Sequence, residues 1–188
     1  MKRIGLFGGT FDPPHYGHLL MAEQAFQTLS LEEVWFIPSY QPPHKDDAKT
    51  KASYRIEMTR RAVSDNPHFY VDTMEVERKG KSYTLNTIKE IKEKHPNDEF
   101  YFIIGGDMVE FLPKWHRIEE LMELITFVGV KRPGYSMQTP YPVKEVEMPL
   151  VEISSTDIRR RVSNKQSIRY LTPPEVIEII ERKRLYSK

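Results

Sequence analysis

Two clusters in this chain have residue types and spacings suited to holding a polyphosphate. The first runs Gly8-Gly9-Thr10-Phe11-Asp12-Pro13-Pro14-His15-Tyr16-Gly17-His18. Gly8 and Gly9 let backbone N–H groups approach an anion with no side chain in the way. His15 and His18 stand three apart where a helical pattern begins, so both can point to one side of the first turn. A helix N-terminus favours negative charge there. Two commoner phosphate motifs fail: a dinucleotide fingerprint needs glycine at Phe7 and Thr10, and a P-loop needs Gly-Lys-Ser/Thr. The second cluster is Ile153-Ser154-Ser155-Thr156-Asp157-Ile158-Arg159. Three hydroxyls at a helix start, with Arg159 one turn inside, form a cradle for phosphates. Ser154 with Asp157 resembles a capping box with Asp in place of Glu or Gln.

Plainer accounts fit each cluster taken alone. The first is also a glycine turn with two surface histidines, or half of a zinc site that lacks a third ligand. The second is also a capped amphipathic helix with solvated arginines. A third segment, Gly105-Gly106-Asp107, leaves room for a planar base or ribose beside an acceptor, and equally suits a tight turn into a helix.

The surrounding sequence alternates between strand-like and helix-like periods. Apolar runs at 2–7, 34–37, 99–104 and 125–130 read as buried strands, and 69–76 and 143–153 as extended. Helical spacing marks 17–28, 54–63, 84–94, 118–124, 155–163 and 174–183. Residues 38–50, 108–117 and 132–142 read as loops from their prolines and polar content. Alternating β and α segments predict an α/β fold: a Rossmann-like, doubly wound, mostly parallel sheet with helices on both faces. We expect one domain over 1–188, with 155–188 as a small C-terminal helical extension. Ligands of such sheets bind at strand carboxyl ends near the topological switch point, and all three segments fall at or beside predicted strand ends.

Composition narrows the chemistry. The chain has 188 residues, 39% hydrophobic and 29% charged, as in an ordinary globular protein. It has no cysteine, which removes disulfides, thiolate nucleophiles and cysteine metal sites. No apolar run approaches the ~20 residues that cross a bilayer, nor does the N-terminus read as a signal peptide. Net charge is +1, so no global field draws the chain to nucleic acid or membrane. Residues 151–188 carry nine Lys/Arg against five Asp/Glu. That basic end lacks interleaved aromatics apart from Tyr170 and Tyr186, which argues against nucleic-acid binding.

Together, Gly8-Gly9-Thr10-Phe11-Asp12-Pro13 with His15-x-Gly17-His18, and Ile153-Ser154-Ser155-Thr156-x-x-Arg159, resemble the two signature motifs of the nucleotidyltransferase superfamily related to class I aminoacyl-tRNA synthetases. Within it, residues 3–185 resemble the bacterial nicotinate-nucleotide adenylyltransferase family. The resemblance implies AMP transfer from ATP to nicotinate mononucleotide, releasing pyrophosphate, in NAD biosynthesis. It implies His15, His18, Thr156 and Arg159 as the catalytic set. ATP would also meet Gly8 to Phe11, Gly105, Asp107, Ile153, Ser154 and Ser155. Gly9 and Thr10 would face the mononucleotide phosphate as well, with Lys45 of Pro42-Pro43-His44-Lys45 reaching it. In Ser82-Tyr83-Thr84, the Tyr83 and Thr84 N–H groups would meet the ring carboxylate. Trp115 would stack on the pyridine, and Arg132 would lie nearby. Magnesium would travel on the ATP phosphates, with no protein metal site. The resemblance also implies a cytoplasmic homodimer. Two alternatives stay open: a sister transferase with another phosphate acceptor, which would not need Thr84 and Trp115, and a non-catalytic nucleotide-binding module.

Overall fold

The computed structural model describes residues 1–41, 48–131 and 134–187. Its elements are β1 (Arg3–Gly9), α1 (Tyr16–Thr28), β2 (Glu33–Pro38), α2 (Ala52–Ala62), β3 (Phe69–Val71), α3 (Met74–Arg78), α4 (Thr84–Lys94), β4 (Glu99–Gly105), α5 (Gly106–Phe111), α6 (Ile118–Leu124), β5 (Thr126–Val130), β6 (Val143–Val146), α7 (Ser155–Ser163) and α8 (Pro174–Arg182). A short 3-10 turn, Leu112–Lys114, follows α5. The six strands form one sheet in the order β3-β2-β1-β4-β5-β6, and every pairing is parallel. The expected α/β doubly wound architecture is therefore the one observed. No helix among the described residues is long and apolar enough to cross a membrane.

Side-chain alternation along the strands explains the two faces. Leu6, Phe100, Phe102, Ile104 and Phe127 meet Leu85, Ile88 and Ile91 of α4 and Leu121 of α6 in one cluster. Phe7, Tyr101, Ile103 and Val128 meet Met21, Ala22 and Ala25 of α1 in another. Both faces are covered, so the central strands carry nearly continuous apolar runs. A third cluster joins Met58 and Ala62 of α2 to Ile158 of α7 and Val176, Ile179 and Ile180 of α8. The apolar stripe of the last helix is thus buried against its own chain.

Three stretches differ from the sequence expectation. Residues 69–76 are extended only to Val71, because Asp72 Oδ1 accepts from the Met74 N–H at 2.8 Å and starts α3. Residues 143–153 pair with the sheet only as far as Val146. Within 108–117, α5 and the 3-10 turn replace the expected loop, with Gly105 ending β4 directly as the cap of α5.

Candidate active site

β1 lies between β2 and β4, and the chain winds outward in opposite directions from the β1–β4 pair. The switch point therefore falls at the carboxyl ends of β1 and β4, where Gly8-Gly9 and Gly105 stand. A cavity of about 440 Å³ opens there, within the range of small-ligand sites. Its floor needs small residues. A Cβ on Gly9 would sit 2.9 Å from the Phe11 ring, and one on Gly8 3.2 Å from Phe102. Phe11 holds a left-handed φ of 50°, and its ring packs edge-on against Phe7 and His18.

His15 caps α1 and is buried, while His18 in the first turn faces the cavity. Their rings stack at 3.7 Å with 26° between planes. Gly17 between them leaves room for the stack, since a Cβ would crowd the His15 ring at 3.0 Å. The His15 backbone N–H donates to His18 Nδ1 at 3.2 Å. A neutral His18 must then carry its proton on Nε2, so the backbone fixes the tautomer and leaves a donor edge.

α7 approaches the same loop from the far end of the chain. Ser155 Oγ donates to the Pro13 carbonyl at 2.8 Å, and Arg159 Nη1 donates to the Asp12 carbonyl at 2.8 Å. Arg159 Nη2 also donates to Thr156 Oγ1 at 3.2 Å, which leaves the Thr156 hydroxyl proton to point elsewhere. Ser155, Thr156, Arg159 and His18 all line the cavity. Ser154 caps the helix through the Asp157 N–H at 3.1 Å. The reciprocal half of the capping box is absent: the Asp157 carboxylate instead pairs with Arg160 and Arg161, and those bonds hold it below the usual carboxylate range.

Of the residues singled out in the sequence, Gly8, Gly9, Thr10, Phe11, His18, Tyr83, Thr84, Gly105, Asp107, Trp115, Ser155, Thr156 and Arg159 line this one cavity. His15, Ile153 and Ser154 do not: His15 lies behind His18, and Ser154 serves as a cap. Lys45 and Arg132 lie outside the described residues. Trp115, also on the cavity wall, is half-buried and packs edge-on to Phe102 and Phe127 at 5.9 and 5.8 Å. Its indole N–H has no partner among the described residues. The Tyr83 N–H donates to the Lys81 carbonyl at 3.1 Å. The Thr84 N–H opens α4 and has no carbonyl within the helix to meet.

Sequence reasoning missed the network that holds the loop. Asp12 is 3% exposed. Its Oδ2 accepts from the Lys49 and Thr50 N–H groups at 2.7 and 3.2 Å, and its Oδ1 accepts from the Tyr186 hydroxyl at 2.5 Å. Arg55, 1% exposed, donates to the carbonyls of Thr10, Thr50 and Tyr40 at 2.8, 3.2 and 3.3 Å. Buried charge is tolerated because both groups are held by several hydrogen bonds. Glu75, also on the cavity wall, went unnoticed because it sits in a stretch read as strand. Among the described residues no three His, Asp or Glu side chains converge to hold a metal ion.

A sequence profile described as cytidylyltransferase-like matches residues 6–161. A Geobacillus kaustophilus protein named "Probable nicotinate-nucleotide adenylyltransferase" is 59% identical over 187 residues, covering 99% of this chain and 87% of its own. An Oceanobacillus iheyensis protein of the same name is 54% identical over 186 residues, covering 99% and 97%. The fold is also that of a Plasmodium falciparum nicotinic acid mononucleotide adenylyltransferase solved with NaAD. That structure gives a TM-score of 0.84 at 22% identity, over 99% of this chain and 98% of the other.

Proposed function

The chain belongs to the cytidylyltransferase-like family, among its nicotinate-nucleotide adenylyltransferases, and on that footing we propose that it transfers AMP from ATP to nicotinate mononucleotide, giving nicotinate adenine dinucleotide and pyrophosphate in NAD biosynthesis. One observation carries the reading: His18, Thr156 and Arg159 meet Tyr83, Thr84 and Trp115 around a single cavity, so a triphosphate and a pyridine each find complementary groups there.

A phosphate oxygen of the mononucleotide is already anionic at neutral pH, so no side chain has to activate it. It attacks the α-phosphorus of ATP in line. A P–O bond forms to give the phosphoanhydride that links the two nucleotides, and the bond from the α-phosphorus to the oxygen bridging it to the β-phosphorus breaks, its electron pair leaving with pyrophosphate. The protein aligns two anions and offsets charge as it moves onto the leaving group. His18, its proton fixed on Nε2, donates to the α-phosphate in flight. His15 supports that ring by stacking on it. Thr156 and Arg159 hold the outer phosphates. Gly8 to Thr10 face the reacting phosphate, and Asp107 takes the ribose.

A divalent cation fits this site as a passenger on the nucleotide. Asp12 already gives both carboxylate oxygens to protein donors, and no three His, Asp or Glu side chains among the described residues converge to hold an ion, so the phosphates would supply most of the ligands. Magnesium held there supplies further neutralisation of the leaving group. Lys45 at the mononucleotide phosphate, Arg132 beside the pyridine, a homodimeric state and a cytoplasmic location complete the proposal, each on the strength of the family resemblance. Pyrophosphate release measured with ATP and nicotinate mononucleotide tests the reaction; no release from the pair would overturn it.

A further inference from the structure

Glu75 is 7% exposed and lines the cavity, yet the reaction as derived gives it no part. Its Oε1 accepts from Thr87 Oγ1 at 2.6 Å, and the Ser82 side chain is a second hydrogen-bond partner. These two residues bracket the Tyr83-Thr84 segment: Ser82 precedes it and Thr87 follows in the next turn of α4. The bonds continue outward on both sides. The Ser82 hydroxyl accepts from the Tyr40 N–H at 3.0 Å, tying in the chain beyond β2. The Thr87 hydroxyl accepts from Arg78 Nη2 at 2.9 Å, and Arg78 Nη1 reaches Glu90 at 3.2 Å. With its hydroxyl oxygen taken up by Arg78, Thr87 is left to donate to Glu75.

We propose that Glu75 is a positioning residue for the mononucleotide, fixing through Ser82 and Thr87 the turn that offers the Thr84 N–H to the pyridine substituent. The inference rests on the adenylyltransferase reading and adds the residue that sets its acceptor end. An apolar side chain would fill the same space at lower cost, because a buried carboxyl must have its oxygens satisfied. Here the satisfied oxygens hold two different segments in register. Burial raises the carboxyl above the usual glutamate range, against the opposing pull of Thr87, Ser82 and Arg78.

The test is steady-state kinetics of wild type, Glu75→Ala, Glu75→Gln and Thr87→Val, varying each substrate separately. Removing the anchor should raise KM for nicotinate mononucleotide by about tenfold, the loss expected for a buried hydrogen bond to an acidic group. KM for ATP and kcat should stay within about twofold. Glu75→Gln should recover most of the loss, since its amide oxygen still accepts from Thr87. Thr87→Val removes one donor while keeping the shape, and should show the same selective rise in KM. It decides the matter should Glu75→Ala not fold. An unchanged mononucleotide KM in the folded variants, or KM for both substrates rising together, overturns the role of Glu75. A wild-type protein that releases no pyrophosphate from ATP and nicotinate mononucleotide overturns the underlying reading instead.

Discussion

The Tyr186 hydroxyl donates to Asp12 Oδ1 at 2.5 Å, joining positions 174 residues apart. The carboxylate it meets also receives the Lys49 and Thr50 amides. Asp12 is therefore the knot at which the glycine turn, the segment before α2 and the C-terminal residues are tied. Tyr186→Phe should leave the sheet intact but cost about 1.5–3 kcal/mol, the range for a hydrogen bond to a charged partner. At this chain length that lowers Tm by several degrees, roughly 2–4 °C per kcal/mol. Thermal denaturation of the two proteins measures it; an unchanged midpoint would show that Tyr186 merely covers Asp12.

His18→Ala should reduce kcat by about 100-fold or more, the loss typical of one transition-state donor, with far-ultraviolet circular dichroism unchanged. Turnover near the wild-type value would remove His18 from the reacting phosphate. His15→Ala should act indirectly, through the stacked ring and the lost packing, and so cost less in kcat than His18→Ala. The reverse order would mean that His15 is the phosphate donor.

Arg159→Ala should raise KM for ATP more than KM for the mononucleotide. Its guanidinium sits on the cavity wall beside Thr156 and also holds the Asp12 carbonyl. Arg159→Lys can restore the charge but not both hydrogen bonds. It should therefore recover part of the ATP affinity, as measured by titration under non-turnover conditions. Full recovery would reduce Arg159 to a simple charge.

The acid mononucleotide should be used in preference to its amide, because a helix-terminal N–H pairs better with a carboxylate than with a neutral amide. Comparing kcat/KM for the two compounds decides this; equal values would remove Thr84 from the pyridine end.

Much of the frame was legible beforehand because it rests on local periodicity. The helices at 84–94, 118–124 and 155–163 have the bounds expected from their apolar and polar spacing, with Ser154 capping the last. The strand between 99 and 105 shows as a run of β-formers ending in glycine. The 69–76 stretch was misread because a single side-chain acceptor, Asp72, outweighs the extended propensity of its neighbours and starts a five-residue helix. The first-turn histidines were legible as a pair, but their stack and the fixed tautomer were not, since both depend on the backbone of the turn. Arg55, Asp12 and Tyr186 were invisible for a different reason. Apart from the Arg55 bond to Thr50, their partners lie 15 to 174 residues away, and no spacing rule connects them.

The third apolar cluster, formed by α2, α7 and α8, has one further consequence. Its buried members are distinct from those of the two sheet faces, although Leu19 packs against both it and the second cluster, and we expect α7 and α8 to come loose while the six strands stay paired. Such a partial opening would carry Ser155, Thr156 and Arg159 away from His18 together. Loss of catalysis on warming should then run ahead of loss of strand protection in amide exchange, with the amides of α7 and α8 exchanging first.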